Sequence, residues 1–173
     1  MGMLMLVASV AQAATYTGVD TAKSRVSFRF QQMGVTMDGQ FKKFVAQANL
    51  NTAQPAKATG RIDIDLASID TGSSEADQEV VGKAWFHVAA HPRGSFVLQS
   101  FKPMGGDQYE VTGQLTLKGT TREVRAPVKL TPQGVLSGSV AIKRGDFSIG
   151  EGMWAKFDVV ANDITVLFNL QLK

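Results

Sequence analysis

The chain has no cysteine among its 173 residues. That excludes disulfide bridges, thiol nucleophiles and Cys-ligated metal. Charge of one sign is also scarce. Lys and Arg number 18 against 15 Asp and Glu, the formal net charge is +3, and no Lys/Arg block is longer than Lys42-Lys43. A surface without a basic stripe is not built to neutralise a phosphate backbone, so nucleic acid is not an expected partner. A mild preference for acidic surfaces, membrane headgroups included, is the most this balance implies. Histidine is limited to His87 and His91. On a helix that spacing would put both imidazoles on one face as metal ligands. Pro92 disfavours helix at His91, so the pair is read as polar loop residues and no metal site is expected. Ser24, Ser73, Ser74, Ser95 and Ser100 all lack the G-x-S-x-G setting of a nucleophile elbow. Lys118-Gly119-Thr120-Thr121 lacks the glycine spacing of a phosphate loop. No catalytic residue is assigned, and the chain is not read as an enzyme.

What is present begins at the N-terminus. Met3 to Val10 is a short apolar run followed by Ala11-Gln12-Ala13, an A-x-A cleavage signature. Together they read as a secretory signal peptide over residues 1–13, although no Lys or Arg precedes Lys23. The run is too short to span a bilayer, and no other stretch is long and apolar enough to do so as a helix. An exported domain over residues 14–173 is expected, one domain by length.

That domain alternates. Val26, Phe28 and Phe30 alternate with Arg25, Ser27 and Arg29, and Ile62, Ile64 and Leu66 with Asp63 and Asp65. Val124, Ala126, Val128 and Leu130 share a face, with Pro127 on the other. Ile164, Val166, Phe168, Leu170 and Leu172 form a long stripe near the end. Period-2 alternation means strands with one dry and one wet face, and Pro127 suits an edge or bulge. Turn residues punctuate the strands at Gly105-Gly106-Asp107, Lys118-Gly119-Thr120 and Thr131-Pro132-Gln133-Gly134. About eight strands are expected, the number that closes into a barrel able to hold one small ligand. The fold class is all-β.

One segment breaks the alternation. Ser73 to Phe86 starts polar and acidic, then places Val80, Val81, Ala84 and Trp85 at helix-like spacing. It reads as a short helical excursion covering one mouth of the barrel, with Trp85 facing inward and Ser74 and Asp77 near its cap. Glu75 and Asp77 lie two apart and point in different directions, so they serve the helix start rather than acid/base chemistry. Arg144 and Asp146 are read as a same-face charge pair that fixes register, the alternative being a polar clamp on a headgroup.

Several stretches carry a resemblance. Ala67-Ser68-Ile69-Asp70-Thr71-Gly72 leads into Glu75-Ala76-Asp77 and Gly82-Lys83-Ala84-Trp85-Phe86. His91-Pro92 follows, then Gly113-Gln114-Leu115-Thr116-Leu117-Lys118-Gly119-Thr120-Thr121-Arg122 and Lys143-Arg144-Gly145-Asp146-Phe147-Ser148-Ile149-Gly150. In order and spacing the chain resembles the YceI-like family throughout residues 14–173. Lys23-Ser24 stands where that family commonly has His-Ser, and Ser148 where it commonly has Gly. The resemblance implies an extended eight-stranded lipocalin-like barrel with an apolar tunnel, located in the bacterial periplasm. It implies a polyisoprenoid, an isoprenoid quinone or a similar amphiphilic lipid as ligand, and no other cofactor. As partners it points to membrane di-haem b-type cytochromes, and it is compatible with a homodimer. The tunnel lining is assigned to Phe28, Phe30, Phe41, Phe44, Trp85, Phe96 and Phe168. Core packing needs the same inward aromatic faces, so the alternatives stay open: an interaction module for a membrane cytochrome, or an enzyme acting on a bound lipid.

Overall fold

Alternation along the strands decides which side of the sheet is dry. In β2 (Val19–Gln32) Val26 and Phe28 are buried while Arg29 is exposed. In β9 (Thr120–Leu130) Ala126, Val128 and Leu130 are buried while Pro127 and Lys129 are exposed. β11 (Asp163–Leu172) buries Leu170 and Leu172. The molecule is seen here as a computed structural model describing residues 13–173. The expected signal segment lies outside the described residues, apart from Ala13.

The remaining strands are β1 (Thr15–Tyr16), β3 (Val35–Phe41), β4 (Phe44–Asn51), β5 (Thr59–Asp65), β6 (Ile69–Asp70), β7 (Arg93–Gly105), β8 (Gln108–Leu117) and β10 (Val135–Lys143). All pairings are antiparallel, in the order β1-β4-β5-β7-β8-β9-β10-β11-β2-β3-β6. Eleven segments stand where about eight strands were expected, and kinks account for the difference. β1 and β2 are two halves of one strand broken at Thr17-Gly18, whose amides both bond the Lys173 carbonyl. β3 and β4 are broken at Lys42-Lys43. β5 and β6 are broken by a single 3-10 turn, Leu66–Ser68, capped by the Asp65 carboxylate accepting from the Ala67 N–H. Because β3 runs on into β4, the two ends of the pairing order meet and the sheet curls into a barrel.

Tight turns join the later strands as expected. Lys118 and Gly119 both take positive φ, 50° and 77°, between β8 and β9. This twist suits a two-residue hairpin. β9 and β10 stay paired only from Leu130–Leu136 to Val128–Gly138, and then part. Pro127, which has no N–H to give, sits where the ladder ends.

The helical excursion is shorter than the segment expected for it. Helix α1 covers Ser74–Val80, and residues 81–91 form turns. Gly82 ends the helix, its N–H bonding the Glu79 carbonyl while its own carbonyl accepts from Trp85 and His87. The cap is Ser73 rather than Ser74, its Oγ accepting from the Ala76 N–H at 3.3 Å.

Candidate functional site

Buried residues collect in two clusters at opposite ends of the barrel. One gathers Val19, Leu50, Phe101, Val128, Leu130, Leu170 and Leu172. The other gathers Leu66, Trp85, Leu117, Ile142, Phe147 and Ile149. Between them runs a cavity of about 790 Å³ whose walls are contributed by both clusters and are overwhelmingly apolar. Its size falls in the range of small-molecule sites, roughly 300–1,000 Å³.

Phe28, Phe30, Phe41, Trp85, Phe96 and Phe168 all line this cavity. Phe44 does not. It stands just past the Lys42-Lys43 kink, packs against the first cluster, and borders a separate small hollow with Asp63, Asp65 and Arg93. Helix α1 presents Glu75, Ala76, Glu79 and Val80 to the cavity, and Gln32, Thr71 and Ser73 lie on its lining too. One group of polar residues thus lies at the α1 end, and Gln47, Thr59 and Arg61 of β4 and β5 add another to the lining. The helix is pinned by Asp77, whose Oδ1 accepts from the Thr71 N–H at 2.7 Å and from the Thr71 hydroxyl at 2.6 Å.

The sequence reading missed the glycines of the inner wall. Gly39 is directly opposite Phe28, and Gly138 directly opposite Phe168. A Cβ on Gly39 would collide with the tip of the Phe28 ring, and one on Gly113 with the Phe96 ring. A Cβ on Gly138 would come within 2.8 Å of Phe168 Cζ. Each ring therefore lies sideways across the neighbouring strand. Glycine inside a strand is the available signal for such close approach.

Arg144 is the other residue whose role differs from expectation. It does not pair with Asp146 across a strand face. It opens a 3-10 turn, Arg144–Phe147, that Ser148 closes at φ 56°, and its side chain is only 2 % exposed. Its guanidinium donates to five backbone carbonyls: Ala161 from Nε, Ile149 and Gly150 from Nη1, and Trp154 and Val160 from Nη2. No carboxylate among the described residues pairs with it. Burial lowers its pKa, but an arginine stays charged at neutral pH. A Cβ on Gly150 would strike Nη1, so that position holds glycine. The guanidinium carbon also lies 5.0 Å from the Trp85 ring centroid and 4.7 Å from that of Phe157.

Trp85 is thus held between Arg144 and Trp154, whose ring centroid is 5.3 Å away. Trp154 Nε1 donates to Glu79 Oε1 at 3.2 Å and ties the 152–154 turn to α1. Among the described residues, Trp85 Nε1 is the one buried side-chain polar atom without a hydrogen-bond partner. Both tryptophans, Trp85 and Trp154, line the cavity, so fluorescence can watch the site. Filling the cavity with a prenol is expected to shift the emission, and Trp85→Phe is expected to reduce that shift, because Trp85 is the more deeply buried of the two. A shift of full size in the variant would place the reporter at Trp154. His87 and His91 sit with ring centroids 5.9 Å apart, and no group of three or more metal-type side chains forms among the described residues.

A curled antiparallel barrel wrapped around one elongated apolar cavity defines the class: a lipocalin-like hollow barrel. Within that class the chain belongs to the YceI-like domain family, whose family model matches residues 18–172. It is 39% identical to Burkholderia cenocepacia BcnA, whose crystal structure superposes with a TM-score of 0.85, covering 88% of this chain and 98% of that one. A UPF0312 protein of Photorhabdus laumondii is 33% identical over 135 residues, 77% of this chain and 70% of the relative. A polyisoprenoid binding domain from Saccharophagus degradans, implicated in plant cell wall breakdown, shares the fold at 18% identity. Its TM-score is 0.68, with 91% of this chain and 97% of that one covered.

Proposed function

We propose that this protein binds and carries a single-chain isoprenoid lipid, a polyprenyl or isoprenoid quinone, without catalysing a reaction on it. The carrying observation is the cavity itself: about 790 Å³ with overwhelmingly apolar walls and one group of polar side chains beside α1. Such a site buries a hydrocarbon tail and leaves a polar head beside Gln32, Ser73, Glu75 and Glu79. The likeness to a domain described as polyisoprenoid binding agrees with this reading. We place the protein in the periplasm, on the apolar run and A-x-A signature at its N-terminus. The alternative of an interaction module for a membrane cytochrome calls for a packed interior, and a hollow one gives it no support.

The test is mass spectrometry of an organic extract from protein purified out of its native envelope, together with N-terminal sequencing. The expected result is a stoichiometric single-chain isoprenoid and a chain starting near Ala14. Extracts without lipid, from protein that also takes up no prenol in vitro, would defeat the carrier reading. An intact Met1 would defeat the location.

A further inference from the structure

We infer that the pairing of phenylalanine with glycine across neighbouring strands sets the bore of the cavity and thereby selects one linear chain over bulkier lipids. The inference rests on the carrier reading above and deepens it. An inward phenylalanine in a narrow barrel ordinarily points at the axis and fills the lumen, as interior side chains of small barrels do. Here three of them fold aside. The tips of Phe28, Phe96 and Phe168 occupy the space over Gly39, Gly113 and Gly138 where a Cβ would otherwise stand. Each glycine removes a side chain from the inner wall and also parks a ring in the vacated place. The pairs are distributed along the barrel. Phe28 lies against Phe41, ring centroids 5.3 Å apart, and Phe41 packs on the α1-end cluster, whereas Phe168 packs on the opposite cluster. The lumen is thus kept clear along its length rather than at one spot.

The volume left over fixes the class of occupant. At about 30 Å³ per non-hydrogen atom, the share of a water molecule in the liquid, 790 Å³ holds roughly 26 such atoms. That is one chain of about five isoprene units, and well short of a two-chain glycerolipid.

The three pairs are not equally open to substitution. A Cβ at Gly113 or Gly138 would also run into a backbone carbonyl, that of Val97 or Pro127 respectively. At Gly39 the principal obstacle is the movable end of the Phe28 ring, with the Asp70 carbonyl oxygen 3.0 Å away. Gly39→Ala should therefore fold and drive the Phe28 ring into the lumen. The experiment compares wild type, Gly39→Ala and the double variant Gly39→Ala/Phe28→Leu, titrated with a prenol of about five isoprene units and with one of about two. Circular dichroism and melting temperature confirm the fold of each. The five-unit prenol is expected to bind Gly39→Ala at least about tenfold more weakly than wild type, the short one much less so. The double variant is expected to return to within about threefold of wild type. Unchanged binding by Gly39→Ala, or a loss that Phe28→Leu does not relieve, would overturn the inference. A wild-type protein that takes no prenol sinks the carrier reading instead. The bore is then judged by a crystal structure of Gly39→Ala, where a Phe28 ring still lying across position 39 overturns it.

Discussion

Arg144→Met is expected to lower the stability of the domain by about 3–5 kcal/mol, the range found when one partner of a buried charged network is removed. The guanidinium is the common donor to five carbonyls spread from Ile149 to Ala161. Hydrogen bonds to a charged group contribute about 1.5–3 kcal/mol each, and a buried carbonyl left alone costs about 1–3 kcal/mol. Against their sum stands the desolvation of a cation with no counter-ion, several kcal/mol. The net remains large because methionine fills the volume yet satisfies none of the carbonyls. For a domain of this size the melting temperature should fall by roughly 8–15 °C. Arg144→Lys keeps the charge but offers three donors on a single nitrogen in place of the planar five, so it should recover less than half of the loss. The near-ultraviolet circular dichroism of Trp85 and Trp154 should weaken in both variants, since Arg144 lies over the Trp85 ring. A melting temperature within 2 °C of wild type, to about the precision expected of a surface substitution, would show that water replaces the guanidinium at no cost.

The second large effect is the dependence of affinity on chain length. Each buried methylene is worth about 0.8 kcal/mol, so a five-carbon unit brings about 4 kcal/mol gross. Incomplete contact with the wall and ordering of the chain take back about half. The remaining ~2 kcal/mol per unit corresponds to roughly 30-fold in Kd. A titration series of prenols should climb at about this rate until the lumen is full, near five units, and then level off. Exchanging the terminal hydroxyl for a quinone ring should change affinity by less than one added unit, because the lining is overwhelmingly apolar and the tail makes most of the contact. A series that is flat in chain length, or that keeps climbing far beyond five units, would show that the tail does not lie in this cavity.

The fold was legible where one side chain reports on its own environment. The alternation of Val26, Phe28 and Phe30 with arginines announced a half-dry strand, and Lys118-Gly119 a hairpin of the right hand. Pro127 falls where the β9 ladder stops, in keeping with a residue that cannot donate. The family resemblance implies the barrel, and the family model matches almost the whole described chain.

What escaped the sequence was the work of partners without identity. The five acceptors of Arg144 are backbone carbonyls, which every residue carries, so nothing in the letters from Ile149 to Ala161 marks them. Asp146, two positions away, was the visible charge and the wrong partner. Phe44 shares the face of Ala46 and Ala48, which line the cavity, but as the first residue of its strand it packs on the first cluster and borders the small hollow with Asp63 and Asp65. The glycines opposite Phe28 and Phe168 became meaningful only once register placed them there. Gly82 weakened the helix on propensity grounds, and the chain does leave the helix just before it.

The parting of β9 and β10 past Val128 and Gly138 leaves a seam in the wall. Along it lie backbone amides and carbonyls of the kind through which sheets recruit foreign strands and polymerise. The seam is guarded from outside. Arg122, Glu123 and Arg125 stand exposed along β9, Arg122 reaches across to the Asp146 carbonyl at 3.1 Å, and Lys118 bridges to the Ser148 carbonyl at 2.7 Å. Charges at the edge and straps across the gap serve as gatekeepers against self-association. Hydrogen exchange should find faster strand amides here, between Thr120 and Ala126 and between Ser139 and Lys143, than in the paired stretch from Val128 to Leu130, because their β9–β10 partners are missing. Removing the guards would turn a breathing seam into an adhesive one.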